Sequence, residues 1–285
     1  MGLVWNMQKS SQTVSLLSQG PFMEGLYIAA SGGTKQLKKL DILSNNIANI
    51  TTQAFKRDML TLEQKSPPFS STRWNETGGL SFADAIFGAH PVVAYVQVTG
   101  SKTDFAQGPL ISTENPLDVA IDGDGFFAIE TEAGVRYTRN GTFHLDGLGQ
   151  LVDREGNRVI SRNDEPILIP STTERITIDQ DGTVHGGSGL DNFPVGQLKI
   201  VRFDNNQGLV KEGEGMYINK GAVIQETELG DVKVLQGFIE KSNVNAVQEM
   251  IKMIETVRML EAYQKIIQAI DEADDQSVNS LARVA

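Results

Sequence analysis

The sequence predicts an α+β chain: long N- and C-terminal helices packed as a coiled-coil-like pair, with a central all-β domain between them. Three observations carry this. Near the C-terminus, apolar residues recur every three or four positions, at Val247, Met250, Ile254, Val257, Leu260, Tyr263, Ile267 and Ile270. Near the N-terminus a second ladder, Leu26, Ala30, Gly33, Leu37, Leu40, Ser44 and Ile47, alternates steps of four and three. Such spacing lines one face of a helix. Between the ladders, short β-type runs alternate with Gly, Asn and Asp, the pattern of a sandwich or barrel-like domain.

Composition narrows the function classes. The 285 residues are 40% hydrophobic, enough for a core, and no apolar run approaches the ~18 residues of a membrane span. The formal net charge is −11, which argues against a nucleic-acid binder, whose footprint is basic. With no cysteine, disulfides, thiolate metal sites and a cysteine nucleophile are excluded. The absence suits a chain that functions outside the cytosol without disulfide chemistry. The charge is uneven: residues 61–239 hold 14 bases and 25 acids, read as a solvated acidic surface.

Taken in order, residues 1–22 are expected to be a poorly ordered leader, Ser/Gln-rich and closed by a Gly20-Pro21 break. Their apolar pieces never join into the core of a secretory signal, and Met23 reads as an alternative start. Residues 23–60, together with 240–285, are expected to form a terminal helical assembly domain. Gly32-Gly33 weakens an isolated helix by roughly 1 kcal/mol per Gly but lets a neighbouring helix come close. The helix then runs into an Asn- and Thr-rich stretch (Asn45, Asn46, Asn49, Thr51, Thr52), residues that favour caps and turns.

Residues 61–102 read as a linker or extended excursion. Ser66-Pro67-Pro68 cannot lie inside a helix, and Pro91 to Val98 reads as a strand leaving the segment. Residues 103–239 form the predicted β domain. Its strands include Phe126 to Ile129, Ile167 to Ile169, Ile176 to Ile178 and Gln197 to Val201. Asn140-Gly141 predicts a hairpin between Val135–Thr138 and Thr142–Leu145. Asp146-Gly147, Gly156-Asn157 and Asp181-Gly182 punctuate later strands. Asn245, with Gln248 three residues on, resembles a capping box that opens the last helix. That helix, ~39 residues at 1.5 Å each, would be a rod of about 58 Å, whose apolar stripe must be buried against something.

No constellation for catalysis emerges. His90, His144 and His185 lack metal-ligand spacing. Asp122-Gly123-Asp124-Gly125 suggests calcium but departs from the EF-hand pattern at Phe126 and Phe127, and a tight turn into a strand explains it better. No phosphate-binding loop or Gly-x-Ser-x-Gly is present. No catalytic, cofactor-binding or metal residue is expected, and no cofactor, nucleic acid or small-molecule substrate.

Three ordered motifs give the chain a resemblance. The run Asn45 to Lys56 (NNIANITTQAFK), the run Asn115 to Phe127 (NPLDVAIDGDGFF) continued by Tyr137 to Phe143, and Ser242-Asn243-Val244-Asn245 with Glu261-Ala262-Tyr263 are similar to the signatures of the flagellar basal-body rod and hook family. The resemblance covers Met23 to Leu281. Gln107 to Leu110, Pro194 to Leu198 and Ile270 to Glu272 make it most like the proximal-rod subunit, with distal-rod and hook subunits as alternatives. Ala54 stands where the family has Gly; if that turn needs a positive φ, Ala54 is strained or the turn is rebuilt.

The resemblance implies a non-enzymatic structural subunit. It would leave the cell through the flagellar export apparatus without a cleaved signal peptide. It would assemble in the periplasm with other rod subunits and copies of itself into a tubular drive shaft. The residues it marks for subunit packing and the family motif are Leu37, Leu40, Ile47, Asn45, Asn46, Asn49, Thr52, Phe55, Asn243, Asn245, Ile254, Val257, Leu260 and Ile267. An alternative of another class is a secreted carbohydrate-binding or carbohydrate-acting β domain with a helical oligomeriser. Trp5 and Trp74, the only tryptophans, both lie outside the β region and count against it.

Overall fold

The computed structural model describes residues 21–65, 95–188, 191–213, 215–221, 224–226 and 232–284. Residues 1–20 of the expected leader and the Pro-rich centre of the 61–102 segment lie outside them. Helix α1 (Pro21–Ala48) begins two residues before the predicted boundary. Pro21 suits the first helical position, where its fixed φ fits and its missing N–H is no loss. Then come β1 (Asp58–Lys65), β2 (Tyr95–Thr103), β3 (Leu110–Ser112), β4 (Val119–Asp122), β5 (Phe126–Thr131), β6 (Gly134–Thr138), β7 (His144–Leu145), β8 (Leu151–Val152) and β9 (Arg158–Val159). They are followed by β10 (Arg175–Ile178), β11 (Thr183–Ser188), β12 (Asp191–Gln197), β13 (Ile200–Phe203), β14 (Leu209–Lys211), β15 (Met216–Asn219), β16 (Ile224–Glu226), β17 (Lys233–Gln236) and β18 (Phe238–Glu240). Helix α2 (Ala246–Val284) closes the chain with 39 residues.

The chain divides into two compact units. The first contains α1 to Ser44, α2 from Met250, and the outer parts of β1 and β2, which pair as a two-stranded ribbon. The segment expected as a linker thus has a β ladder at its two ends. Within this unit α1 and α2 touch at small residues. The Tyr263 ring lies where a Cβ on Gly32 would sit, and Ile270 Cδ1 comes within 3.7 Å of the corresponding point at Gly25. These contacts are seven residues apart on both helices and run antiparallel.

The second unit comprises residues 45–59 and 102–249. Its main sheet runs β14-β15-β6-β5-β9-β8-β7, with β13 also paired to β5 and β16. Smaller sheets are β10-β11-β12, β4 with β17, and β3 with β18. Strand β5 is buried on both faces, and its residues alternate between two cores. Phe127 and Ile129 face one, with Val119, Ile121, Phe143, Leu151 and Val184. Phe126 and Ala128 face the other, with Tyr137, Val201, Phe203 and Tyr217.

The predicted Asn140-Gly141 hairpin does not form. Strand β6 pairs with β5 and β15, and β7 pairs with β8. Asn140 Oδ1 instead accepts the Thr142 amide at 3.2 Å, and Gly141 O accepts the Val119 amide at 2.9 Å. A Cβ at 141 would overlap the Val119 carbonyl. The glycine is there for close backbone approach, which the local sequence does not distinguish from a tight turn.

Four of the turns that do form share one five-residue design, at 146–150, 153–157, 161–165 and 179–183. In each, the first amide donates to the fifth carbonyl at 2.8–3.0 Å and the fourth amide donates to the first carbonyl at 2.9–3.1 Å. The fourth residue has a positive φ: Gly149 79°, Gly156 88°, Asp164 63° and Gly182 82°. In the first two, Asp146 Oδ1 and Asp153 Oδ1 also accept the fifth amide, at 2.7 and 2.8 Å. Ser161 Oγ does the same in the third.

Candidate functional site

Two features of the structure bear on assembly. One is the set of apolar faces on the terminal helices. The other is a buried polar joint in the second unit, where the chain comes into and leaves the β region.

In α1 the buried and half-buried positions run Ala29, Gly33, Gln36, Leu40, Leu43. The expected seam therefore passes through Ala29, Gln36 and Leu43 rather than Ala30, Leu37 and Ser44, which are exposed. Leu37 keeps 50% of its surface in solvent. The sequence misleads because Gln36 is polar and Leu37 is not. In α2 the predicted ladder splits in two. Leu260, Tyr263, Ile267 and Ile270 are half-buried and continue from buried Thr256, whose hydroxyl donates to Lys252 O at 2.6 Å. Met250, Ile254 and Val257 are 51%, 55% and 38% exposed. Met259, Ala262, Ile266 and Ala269, at the same kind of spacing, form a third stripe, also exposed. At about 100° per residue, the three stripes lie on three different sides of one helix. Among the described residues, only the Thr256–Ile270 stripe is covered within the chain.

The expected motif residues near the end of α1 belong to the joint or lead into it. Asn46, 1% exposed, donates to Asp58 O and accepts the Asp58 amide, both at 2.9 Å. It also reaches Glu249 Oε2 at 3.4 Å. Exposed Asn45 offers its carbonyl to Asn49 Nδ2, and Asn49 Oδ1 accepts the Thr52 hydroxyl. Ile47 is half-buried. Ala54 then turns the chain with φ 55°. It is 1% exposed, and its amide donates to Glu240 O at 2.8 Å. The turn keeps its left-handed shape with Ala in place, so the strain is borne rather than avoided.

Phe55 lies beneath the Lys211 ammonium, 4.2 Å from the ring centroid. Its carbonyl accepts the Asn243 amide at 3.2 Å. Asn243 does most of the stitching: its Oδ1 accepts the Arg57 amide at 2.8 Å, and its Nδ2 donates to Asp104 O and Ala106 O at 2.9 Å each. Asn245 caps α2 by accepting the Gln248 amide at 3.1 Å, as its spacing predicted.

At the centre is an ion pair outside the expected set. Lys56 Nζ donates to Glu240 Oε1 at 2.6 Å and to Ala106 O at 2.9 Å, and Gly108 N donates to the same Oε1 at 2.7 Å. Arg139 Nη1 donates to Gly123 O at 2.8 Å and stands 3.7 Å from Glu240 Oε2. Burial pushes the Lys56 amine below its ordinary value, against the opposing pull of Glu240. Burial likewise raises the Tyr217 phenol. Lys56, Glu240 Oε1 and Arg139 Nη1 are locked by structural partners and closed to solvent, so the joint holds the backbone together. Among the described residues no group of three His, Cys, Asp or Glu is placed to hold a metal ion. A lysine, arginine and glutamate scattered over 184 positions give no local pattern, which is why sequence reasoning misses them.

Comparison with known proteins fits this layout. The family described as "Flagella basal body rod protein" matches residues 26–56. "Flagellar hook protein FlgE/F/G D1 domain" matches 120–186, and "Flagellar basal body rod FlgEFG protein C-terminal" matches 235–281. Lys56, Arg139 and Glu240 thus fall one in each matched segment. The chain is 34% identical over 269 residues to the flagellar basal-body rod protein FlgG of Bacillus subtilis, covering 90% of this chain and 98% of that protein. It is 31% identical over 260 residues to FlgF of Caulobacter vibrioides, covering 91% and 98%. It is 35% identical over 262 residues to a FlgG of Buchnera aphidicola, covering 87% and 95%.

Proposed function

The chain belongs to the flagellar basal-body rod proteins, and on that footing we propose that it joins its neighbours through the uncovered stripes of its terminal helices. It is a structural subunit of the basal-body rod; the carbohydrate-binding alternative has no support among its relatives. The observation that carries the assembly reading is α2: three apolar stripes, with one covered among the described residues of its own chain. A helix exposed on those sides in its working state would carry charge there instead. Leu37 on α1 and Ile254 and Val257 on α2 are the proposed contacts between subunits. Leu40, Leu260 and Ile267 hold the pair within a subunit. Ile47, Asn45, Asn46, Asn49, Thr52, Phe55, Asn243 and Asn245 fix the joint and the helix ends.

The subunit acts without catalysis, passes through the flagellar export apparatus without a cleaved signal, and works in the periplasmic part of the basal body. Its relatives carry both FlgG and FlgF names, and the motifs at Gln107–Leu110, Pro194–Leu198 and Ile270–Glu272 favour the proximal rod. Imaging of isolated basal bodies with the chain labelled tests this directly. Label at the proximal end of the rod supports it, and label confined to the distal rod or the hook refutes it.

A further inference from the structure

We propose that one water molecule is a built-in part of the joint, held between Glu240 Oε2, Arg139 Nε and Tyr217 Oη. Each of these atoms is buried without a hydrogen-bond partner in the protein. The residues that carry them are 0–2% exposed, where an unsatisfied polar group is costly. Arg139 and Tyr217 both stand against one ring. The Arg139 guanidinium lies 5.1 Å from the Phe126 centroid, and the Tyr217 ring lies 5.7 Å from it. Arg139 Nη1 is 3.7 Å from Glu240 Oε2, too long for a direct hydrogen bond and a separation at which a bridging molecule is to be considered.

The donor and acceptor balance selects the occupant. Arg139 Nε–H and Tyr217 Oη–H can each donate, and Glu240 Oε2 can only accept. Water accepts two hydrogen bonds and donates two, so it takes both donors and gives one proton to the carboxylate. Buried waters ordinarily make about three such bonds. A halide would be set against the Glu240 charge and a cation against Arg139, whereas a neutral molecule meets neither objection. The water would tie strand β15, through Tyr217, to the Lys56–Glu240 pair, with which Tyr217 has no direct hydrogen bond.

The test is a crystal structure of the full-length chain at a resolution that shows ordered solvent, with a second crystal soaked in bromide. The expected result is one density peak within hydrogen-bond distance of all three atoms, without anomalous signal after the soak. In a Tyr217→Phe variant of unchanged circular dichroism, the peak should weaken or vanish. The proposal is overturned by empty density with Tyr217 Oη bonded directly to a protein atom, or by a bromide peak at the site. In solution, a cross-peak between water and the Tyr217 hydroxyl proton supports it, and a hydroxyl proton showing cross-peaks to protein protons alone overturns it.

Discussion

Lys56 and Glu240 are 184 residues apart in sequence and their side chains meet at 2.6 Å, both shielded from solvent. Removing one partner leaves the other charge buried and uncompensated, which costs about 3–5 kcal/mol. Glu240→Ala should therefore lower the urea midpoint sharply. The double change Lys56→Met with Glu240→Leu should be milder, because the buried amine leaves with its partner and only Arg139, still bonded to Gly123 O, loses its carboxylate. A double variant as unstable as the single one would contradict this account of the joint.

Ala54 holds φ at 55° in a buried turn. A left-handed conformation costs a non-glycine residue roughly 1–2 kcal/mol, partly offset by the extra freedom glycine has when unfolded. Ala54→Gly should raise stability by about 1 kcal/mol, or roughly 2–4 °C in Tm for a chain of this size. A fall in Tm would show that the Ala54 methyl packs well enough to outweigh its strain.

Gly32 accommodates the ring of Tyr263. Gly32→Leu should part α1 from α2 locally, seen as lost amide-exchange protection around Tyr263. Strands β5 and β6 should keep theirs. Adding Tyr263→Ala should restore part of the protection. If the double variant exchanges as fast as the single one, the contact is not steric.

The exposed and covered stripes of α2 can be told apart by experiment. Ile254→Asp and Leu37→Asp replace residues with half or more of their surface in solvent, so the monomer's stability should change by no more than ~0.5 kcal/mol while rod assembly and motility fail. Leu260→Asp should lower both stability and assembly. Normal motility in the Ile254 and Leu37 variants would remove these residues from the interface.

Asp104 predicts a response to acid. Desolvation acts to raise its pKa, but hydrogen bonds from the Ala106 amide and Arg57 outweigh it and hold the carboxyl below its usual 3.8. A depressed carboxylate stabilises the fold above its unfolded pKa, and that contribution is lost as pH falls through the folded value. Stability should therefore drop more steeply below pH 3.8 in the native chain than in Asp104→Asn. Parallel acid profiles for the two would count against it.

How much of this could be read beforehand depends on how local the cause is. Asn245 declares its role because a cap and its amide are three residues apart. The helix spans follow from an apolar period that every turn repeats. The side of α1 that is buried does not, because buried Gln36 and exposed Leu37 reverse the rule that polarity follows exposure. Gly141 sits in a dipeptide that signals a turn, yet answers to the Val119 carbonyl, a partner 22 residues away in sequence that local pattern cannot supply. The hairpin turns, in contrast, were legible in more detail than Gly and Asn alone suggest. Asp146 and Asp153 each stand three residues before a glycine of positive φ, a spacing that marks both turns.

Because residues 54–57 are bonded directly to residues 240–243, the β region has its two ends fastened at one spot. A pull on the chain just outside those points would pass from one strand of the knot to the other through the bonds of Lys56, Asn243 and Ala54. The sheets behind it would be largely unloaded. The polar knot is then the part that fails first under tension, and substitutions deep in the sheets should leave its breaking force nearly unchanged.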